Sequence, residues 1–135
     1  MKKILDAGPL IALINEADRH HAWAEATLSS LGYPFATCPE VLAEVAAVTG
    51  RPRAVVRLVT SGGIVLDFDL AAQATAVLRL LEKYADREMD LADACIVRMA
   101  ELCRDCRVIT TDRADFAVYR RNGRDVIPVI VPPKD

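Results

Sequence analysis

The sequence predicts an α/β fold, a three-layer α/β/α sandwich built around a central, mainly parallel sheet, and three observations carry that expectation. Short strand-like runs alternate with helix-like stretches from one end of the chain to the other. Acids stand where those runs meet, at Asp6, Glu44, Asp93 and Asp112. No linker, internal repeat or low-complexity segment interrupts the pattern, so residues 1–135 read as one domain.

Residues 2 to 6 read as a short buried strand ending on Asp6. Gly8-Pro9 then opens a helix over Leu10 to Glu16, since proline suits a first helical turn. Asp18 reads as the N-cap of a second helix that runs through Trp23, Ala26 and Leu28 to Leu31, where Gly32 stops it. Trp23 is expected in the core and the adjacent His20 and His21 at solvent, pointing in different directions. Phe35 to Cys38 reads as a strand, and Pro39 starts the helix that carries Glu40 and Glu44 one turn apart on the same face. A helix over Pro52 to Thr60 ends at Ser61-Gly62-Gly63, and Ile64 to Phe68 returns as a strand. Between Leu70 and Tyr84, the positions Ala74, Val77, Leu78 and Leu81 are spaced to bury one helix face. Asp90 reads as the cap of a helix that runs to Cys103, with Asp93 in the first turn, where the helix dipole favours a carboxylate. Arg107 to Asp112 is a strand ending in an acid, a short helix follows to Tyr119, and Val126 to Val131 is the closing strand.

A composition of 53% hydrophobic and 27% charged residues fits a globular domain. The apolar start meets charge at once, and no later run approaches the ~20 apolar residues of a membrane span, so the expected location is the cytoplasm, without a membrane partner. A net charge of −2 decides neither for nor against a polyanionic ligand. Arginine supplies 13 of the 17 basic residues, and two groups of them, Arg51, Arg53 and Arg57 or Arg113, Arg120, Arg121 and Arg124, suit phosphate contact and a solvated face equally well. The cysteines at 38, 95, 103 and 106 lie inside apolar patterns and read as reduced, buried thiols. Cys103 and Cys106 lack the second pair that a structural zinc would need. Dinucleotide and P-loop enzymes are excluded because neither glycine-rich signature occurs. A phospho-accepting receiver domain would need a late lysine at a strand end, and none lies between Lys83 and Lys134.

In an alternating fold the carboxyl ends of parallel strands point to one edge, so acids far apart in sequence can meet there. At an effective dielectric near ~20, two unit charges ~4 Å apart repel by roughly 4 kcal/mol, so four converging acids need a metal, bound protons or basic partners. Mg²⁺ suits such a set: it binds through one or two carboxylates and keeps several waters, leaving places for a phosphate oxygen and an attacking water. Two ions ~3.5–4 Å apart could clamp both reacting oxygens. Taken singly, Asp6 and Asp112 also read as strand ends that cap the following helices, and Glu44 as an exposed helix position.

The acids sit in recognisable contexts. Leu5-Asp6 precedes Gly8-Pro9-Leu10-Ile11-Ala12-Leu13, Glu44 lies in Val41-Leu42-Ala43-Glu44-Val45, and Asp93 lies in Leu91-Ala92-Asp93-Ala94-Cys95-Ile96. The last is Thr110-Thr111-Asp112-Arg113-Ala114-Asp115-Phe116. In these motifs the chain resembles the PIN domain family, and in particular the VapC-type ribonucleases of toxin and antitoxin pairs, over nearly its whole length. The resemblance implies Mg²⁺- or Mn²⁺-dependent endonucleolytic cleavage of RNA. It also implies Asp6 and Asp93 as direct metal ligands, Asp112 next, and Glu44 as a ligand, a water orienter or both. Thr110, in the family's Thr-x-Asp pattern, and Arg113 are the expected substrate-side groups. Thr110 supplies a hydrogen bond; Arg113 touches the scissile phosphate or pairs with a neighbouring acid. Asp90 reads as a cap, and Asp115 as either a site acid or a local turn. Many members carry serine or threonine directly after the first acid, where this chain has Ala7-Gly8. A small antitoxin protein and a homodimer are the partners that the resemblance implies. The alternative is a non-catalytic RNA-binding module of the same architecture, against which the retention of all four acids speaks.

Overall fold

The computed structural model describes residues 1–134. β1 (Lys2–Leu5) leads to α1 (Ala7–Ile14) and α2 (His21–Leu31), then β2 (Phe35–Thr37) to α3 (Pro39–Thr49) and α4 (Pro52–Thr60). β3 (Ile64–Leu66) leads to α5 (Leu70–Lys83), which a single 3-10 turn (Ala85–Arg87) joins to α6 (Leu91–Leu102). β4 (Cys106–Ile109), α7 (Arg113–Val118), β5 (Arg120–Arg121), β6 (Asp125–Val126) and β7 (Val129–Ile130) follow.

Five strands form one sheet in the order β3-β2-β1-β4-β7, with every pairing parallel. Parallel neighbours need crossover connections, which is why helices separate the strands in sequence and flank the sheet in space. β1 and β4 are the inner pair, with Lys2 to Leu5 in register against Cys106 to Ile109. Ile4, Leu5, Val108 and Ile109 are fully or almost fully buried, as strands covered on both faces must be. The chain runs from β1 outward through β2 to β3, then crosses back to place β4 on the other side of β1. The β1/β4 boundary is therefore the switch point of the sheet, where a crevice opens at the carboxyl ends. Among the described residues no helix is long and apolar enough to cross a membrane.

Several elements depart from the sequence reading. α1 starts at Ala7, not Leu10, which places Pro9 inside the first turn, where its missing N–H costs nothing. α2 starts at His21, not after Asp18: the Asp18 side chain accepts from the His20 amide at 2.8 Å and so forms a turn ahead of the helix. His21 is half-buried, with Nδ1 2.7 Å from the Ala12 carbonyl oxygen, and Trp23 is half-buried against the core. The buried stripe of α5 is Val77 and Leu80, continued by Tyr84, whereas Leu78 is 57% exposed and Ala74 is exposed. The expected strand over 126–131 is two elements. Asp125–Val126 pairs antiparallel with Arg120–Arg121, and Val129–Ile130 joins the main sheet beside β4, with Pro128 between them. Asn122 and Gly123, both at positive φ in the hairpin turn, are the sequence signal that announces this extra hairpin. Cys38, Cys95 and Cys106 are buried free thiols, as the apolar patterns predict, and Cys103 is half-buried.

Candidate active site

The first acid follows β1 directly. Asp6 is 6% exposed, and its backbone amide extends the sheet by donating to the Ile109 carbonyl at 3.0 Å. Its carboxylate does not cap α1; instead Oδ2 accepts from the Thr110 hydroxyl at 2.7 Å. Thr110 is fully buried, and its oxygen also accepts from the Asp112 amide at 3.0 Å. One threonine thus locks the end of β1 to the segment leaving β4, and its hydroxyl is directed inward rather than towards a substrate.

Asp112 and Asp93 come from helix starts. Asp112 is the N-cap of α7 and accepts from the Asp115 amide at 3.0 Å. α6 is buried around most of its circumference by Ala92, Ala94, Cys95, Ile96, Val97, Met99 and Ala100, whose many small side chains let it sink against β1 and β4. Asp90 caps it, with Oδ1 2.7 Å from the Asp93 amide, as the sequence spacing predicts. Asp93 itself accepts from the Tyr119 hydroxyl at 3.1 Å. Carboxylate oxygens of Asp93, Asp112 and Asp115 lie within 4.8 Å of one another. Asp115 is also held by Arg87, whose Nε donates to Oδ1 at 3.0 Å.

The electrostatics of these groups report a shared site. Burial pushes the Asp6 carboxyl up from 3.8 to about 6, opposed by the Thr110 hydroxyl and reinforced by the charges of Asp112 and Asp90. Burial likewise raises Asp93 to about 7, with Asp6, Asp90 and Asp112 adding to the rise and Tyr119 opposing it. Asp112 is raised by burial, against the stabilising Asp115 amide and the Arg87 charge. Glu44, half-buried on α3, is raised by burial and then by Asp90 and Asp6. All four expected acids feel one another or a shared neighbour, with Glu44 at the margin. Glu40 does not join them: it turns towards Cys38 and Cys95, each offering a ligand atom within 4.8 Å of the others. Arg113 Nη2 donates to the Pro132 carbonyl at 2.6 Å.

Sequence reasoning missed Tyr119 and Arg87. Neither stands in a motif around an acid, and each reaches its carboxylate across more than twenty residues of chain.

The donor set is made of carboxylate oxygens, and burial, with the neighbouring acids' charges added, holds protons on Asp6 and Asp93 towards neutral pH; both properties fit a hard divalent cation. Fold and site together define an α/β/α domain with an acidic centre at the switch point of a parallel sheet. Residues 3–122 match the PIN domain, and the chain belongs to that family. Ribonuclease VapC26 of Mycobacterium tuberculosis is 30% identical over 133 residues, an alignment that covers 94% of this chain and 98% of the relative.

Proposed function

We propose that this protein is a divalent-metal-dependent endoribonuclease, a single nuclease domain that serves as the toxin of a toxin and antitoxin pair. The observation that carries the reading is the cluster of Asp93, Asp112 and Asp115, whose carboxylate oxygens lie within 4.8 Å of one another, with Asp6 near enough to help raise Asp93 to about 7 and itself raised to about 6. Asp6, Asp93 and Asp112 would hold Mg²⁺ or Mn²⁺, with Glu44 and Asp115 at the rim of the donor set. When bound, the ion supplies Lewis acidity towards a phosphodiester oxygen and towards a water.

The chain's own residues then have separable tasks. Thr110 orients Asp6 and leaves its other oxygen available. Tyr119 does the same for Asp93, since its hydroxyl occupies only Oδ2. Glu44 and Asp115 would orient water beside the ion, while Arg113 follows Asp112 directly in the chain and is tied to the Pro132 carbonyl. The similarity to Ribonuclease VapC26 supports RNA as the substrate and a small antitoxin protein as the inhibitor. A homodimer working in the cytoplasm completes the proposal.

The test compares cleavage of mixed single-stranded RNA by wild type and by the Asp6→Asn/Asp93→Asn variant, in Mg²⁺, in Mn²⁺ and in EDTA. Cutting by wild type in metal alone, absent from the folded variant, is the expected result. RNA that is bound yet left intact by wild type in both metals would favour the non-catalytic module.

A further inference from the structure

The fold gathers two thiols that no spacing in the sequence pairs. Cys38 follows β2 directly and is the N-cap of α3, Glu40 lies in the first turn of that helix, and Cys95 lies on α6, which packs against α3. One donor atom from each of the three lies within 4.8 Å of the other two. Both cysteines are free thiols at 0% exposure, and Glu40 is half-buried beside them. Its Oε1 is buried and finds no hydrogen-bond partner among the described residues. Such an oxygen is costly, because no donor replaces the water it has lost. The neighbouring thiols relieve it poorly, being weak donors when protonated and like charges when ionised. A cation would satisfy all three groups at once.

We infer that Cys38, Glu40 and Cys95 form a second metal site, one that takes Zn²⁺ rather than the hard ion suited to the acids. The inference goes beyond the ribonuclease reading and does not depend on it. Thiolate sulfur favours zinc, whereas Mg²⁺ takes oxygen ligands, so the two sites differ in the class of ion they hold. Zinc binds thiolate at ~2.3 Å and carboxylate at ~2.0–2.2 Å, which sets the donors of a tetrahedral ion ~3.5–3.8 Å apart. Donor atoms already within 4.8 Å of one another need little movement to meet that spacing. The thiol protons leave as the ion binds, so two thiolates and one carboxylate surround its two positive charges. Water would complete the tetrahedron on the side of Glu40, the least buried of the three. Glu44 stands one turn beyond Glu40 on α3, and Asp93 two residues before Cys95 on α6. The ion would therefore staple together the two helices that carry these acids. Cys103 and Cys106 are nearer in sequence, but no third cysteine, histidine or acid joins them among the described residues.

The test titrates Co²⁺, a spectroscopic stand-in for zinc, into reduced wild type under nitrogen, with Mg²⁺ in excess to saturate the acids. One equivalent is expected to raise the near-ultraviolet charge-transfer band of two cobalt–thiolate bonds together with the visible bands of a tetrahedral ion, and Zn²⁺ is expected to abolish both. Cys103→Ala protein is expected to keep the charge-transfer band, and folded Cys38→Ala/Cys95→Ala protein to lose it. Glu40→Gln keeps the shape of a half-buried side chain and is expected to weaken Zn²⁺ binding, read by competition with a chelating dye, by about tenfold or more, since even outer-shell partners are worth that much. Wild type without a thiolate band, or a band that Cys103→Ala removes, overturns the site. Unchanged zinc affinity in Glu40→Gln overturns it as well, and that result requires no cysteine variant to fold. RNA cleavage enters none of these readouts, so the ribonuclease reading stands or falls separately.

Discussion

Asp6 and Asp93 titrate from 3.8 up to about 6 and about 7 in the folded chain, so between those limits the folded state binds more protons than the unfolded one. Stability is therefore greatest below the unfolded values and is lost as pH rises through the folded ones. In metal-free buffer the protein should be less stable at pH 8 than at pH 5, with the buried Asp6 contributing on the order of 1.5 kcal/mol of the difference, because at pH 5 the unfolded carboxyl is already ionised. Asp6→Asn removes that contribution. Urea midpoints in EDTA at the two pH values check it, and a variant that loses as much stability as wild type would contradict the assignment. Thr110→Val deletes the donor to Asp6 and the acceptor for the Asp112 amide, and should cost about 1–3 kcal/mol. Because that hydroxyl holds the Asp6 carboxyl down, the acid limb of the cleavage pH profile should move to higher pH in Thr110→Val and return in Thr110→Ser.

At the scale of elements, the site depends on how α1 and α6 meet the sheet. Gly8 lets the first turn of α1 lie against Thr111, and Gly8→Ala should destabilise by about 1–3 kcal/mol because Oγ1 must give way. Thr111→Ala in that background should recover part of the loss, as read from denaturation midpoints. Asp90→Ala removes the α6 cap and should cost about 1 kcal/mol. β1 to β4, most helix boundaries and the Asp90 cap were legible because they are local, marked by a proline, a glycine or an acid nearby, whereas the closing strand over 126–131 hid a separate hairpin. The α5 face was not, since Ala74, Val77, Leu78 and Leu81 form as regular a stripe as Val77, Leu80 and Tyr84, and only the neighbouring α6 selects between them. The candidate acids were legible for the same local reason, each standing at or near a junction. Tyr119 and Arg87 were not, because a hydroxyl or a guanidinium that reaches a distant carboxylate leaves no mark on the spacing around either residue.

For the whole molecule, the divalent ion of the proposed mechanism would link the carboxyl ends of β1 and β4 with the start of α6. Mg²⁺ or Mn²⁺ at about a hundred times its dissociation constant should stabilise the fold by about 2.7 kcal/mol. Thermal melts in EDTA and in each metal read this directly, and Asp6→Asn/Asp93→Asn protein should show no such response. The pairing of β1 with β4 also places the order of events during synthesis. Asp6 is made about a hundred residues ahead of the strand beside it, which begins at Cys106, and α6, β4 and Asp112 must all follow before its carboxylate has neighbours. A nascent chain carries every earlier helix without an assembled centre. Translation thus runs on through Asp112 before the proposed centre can assemble, which separates the moment Asp6 is made from the moment it gains its neighbours.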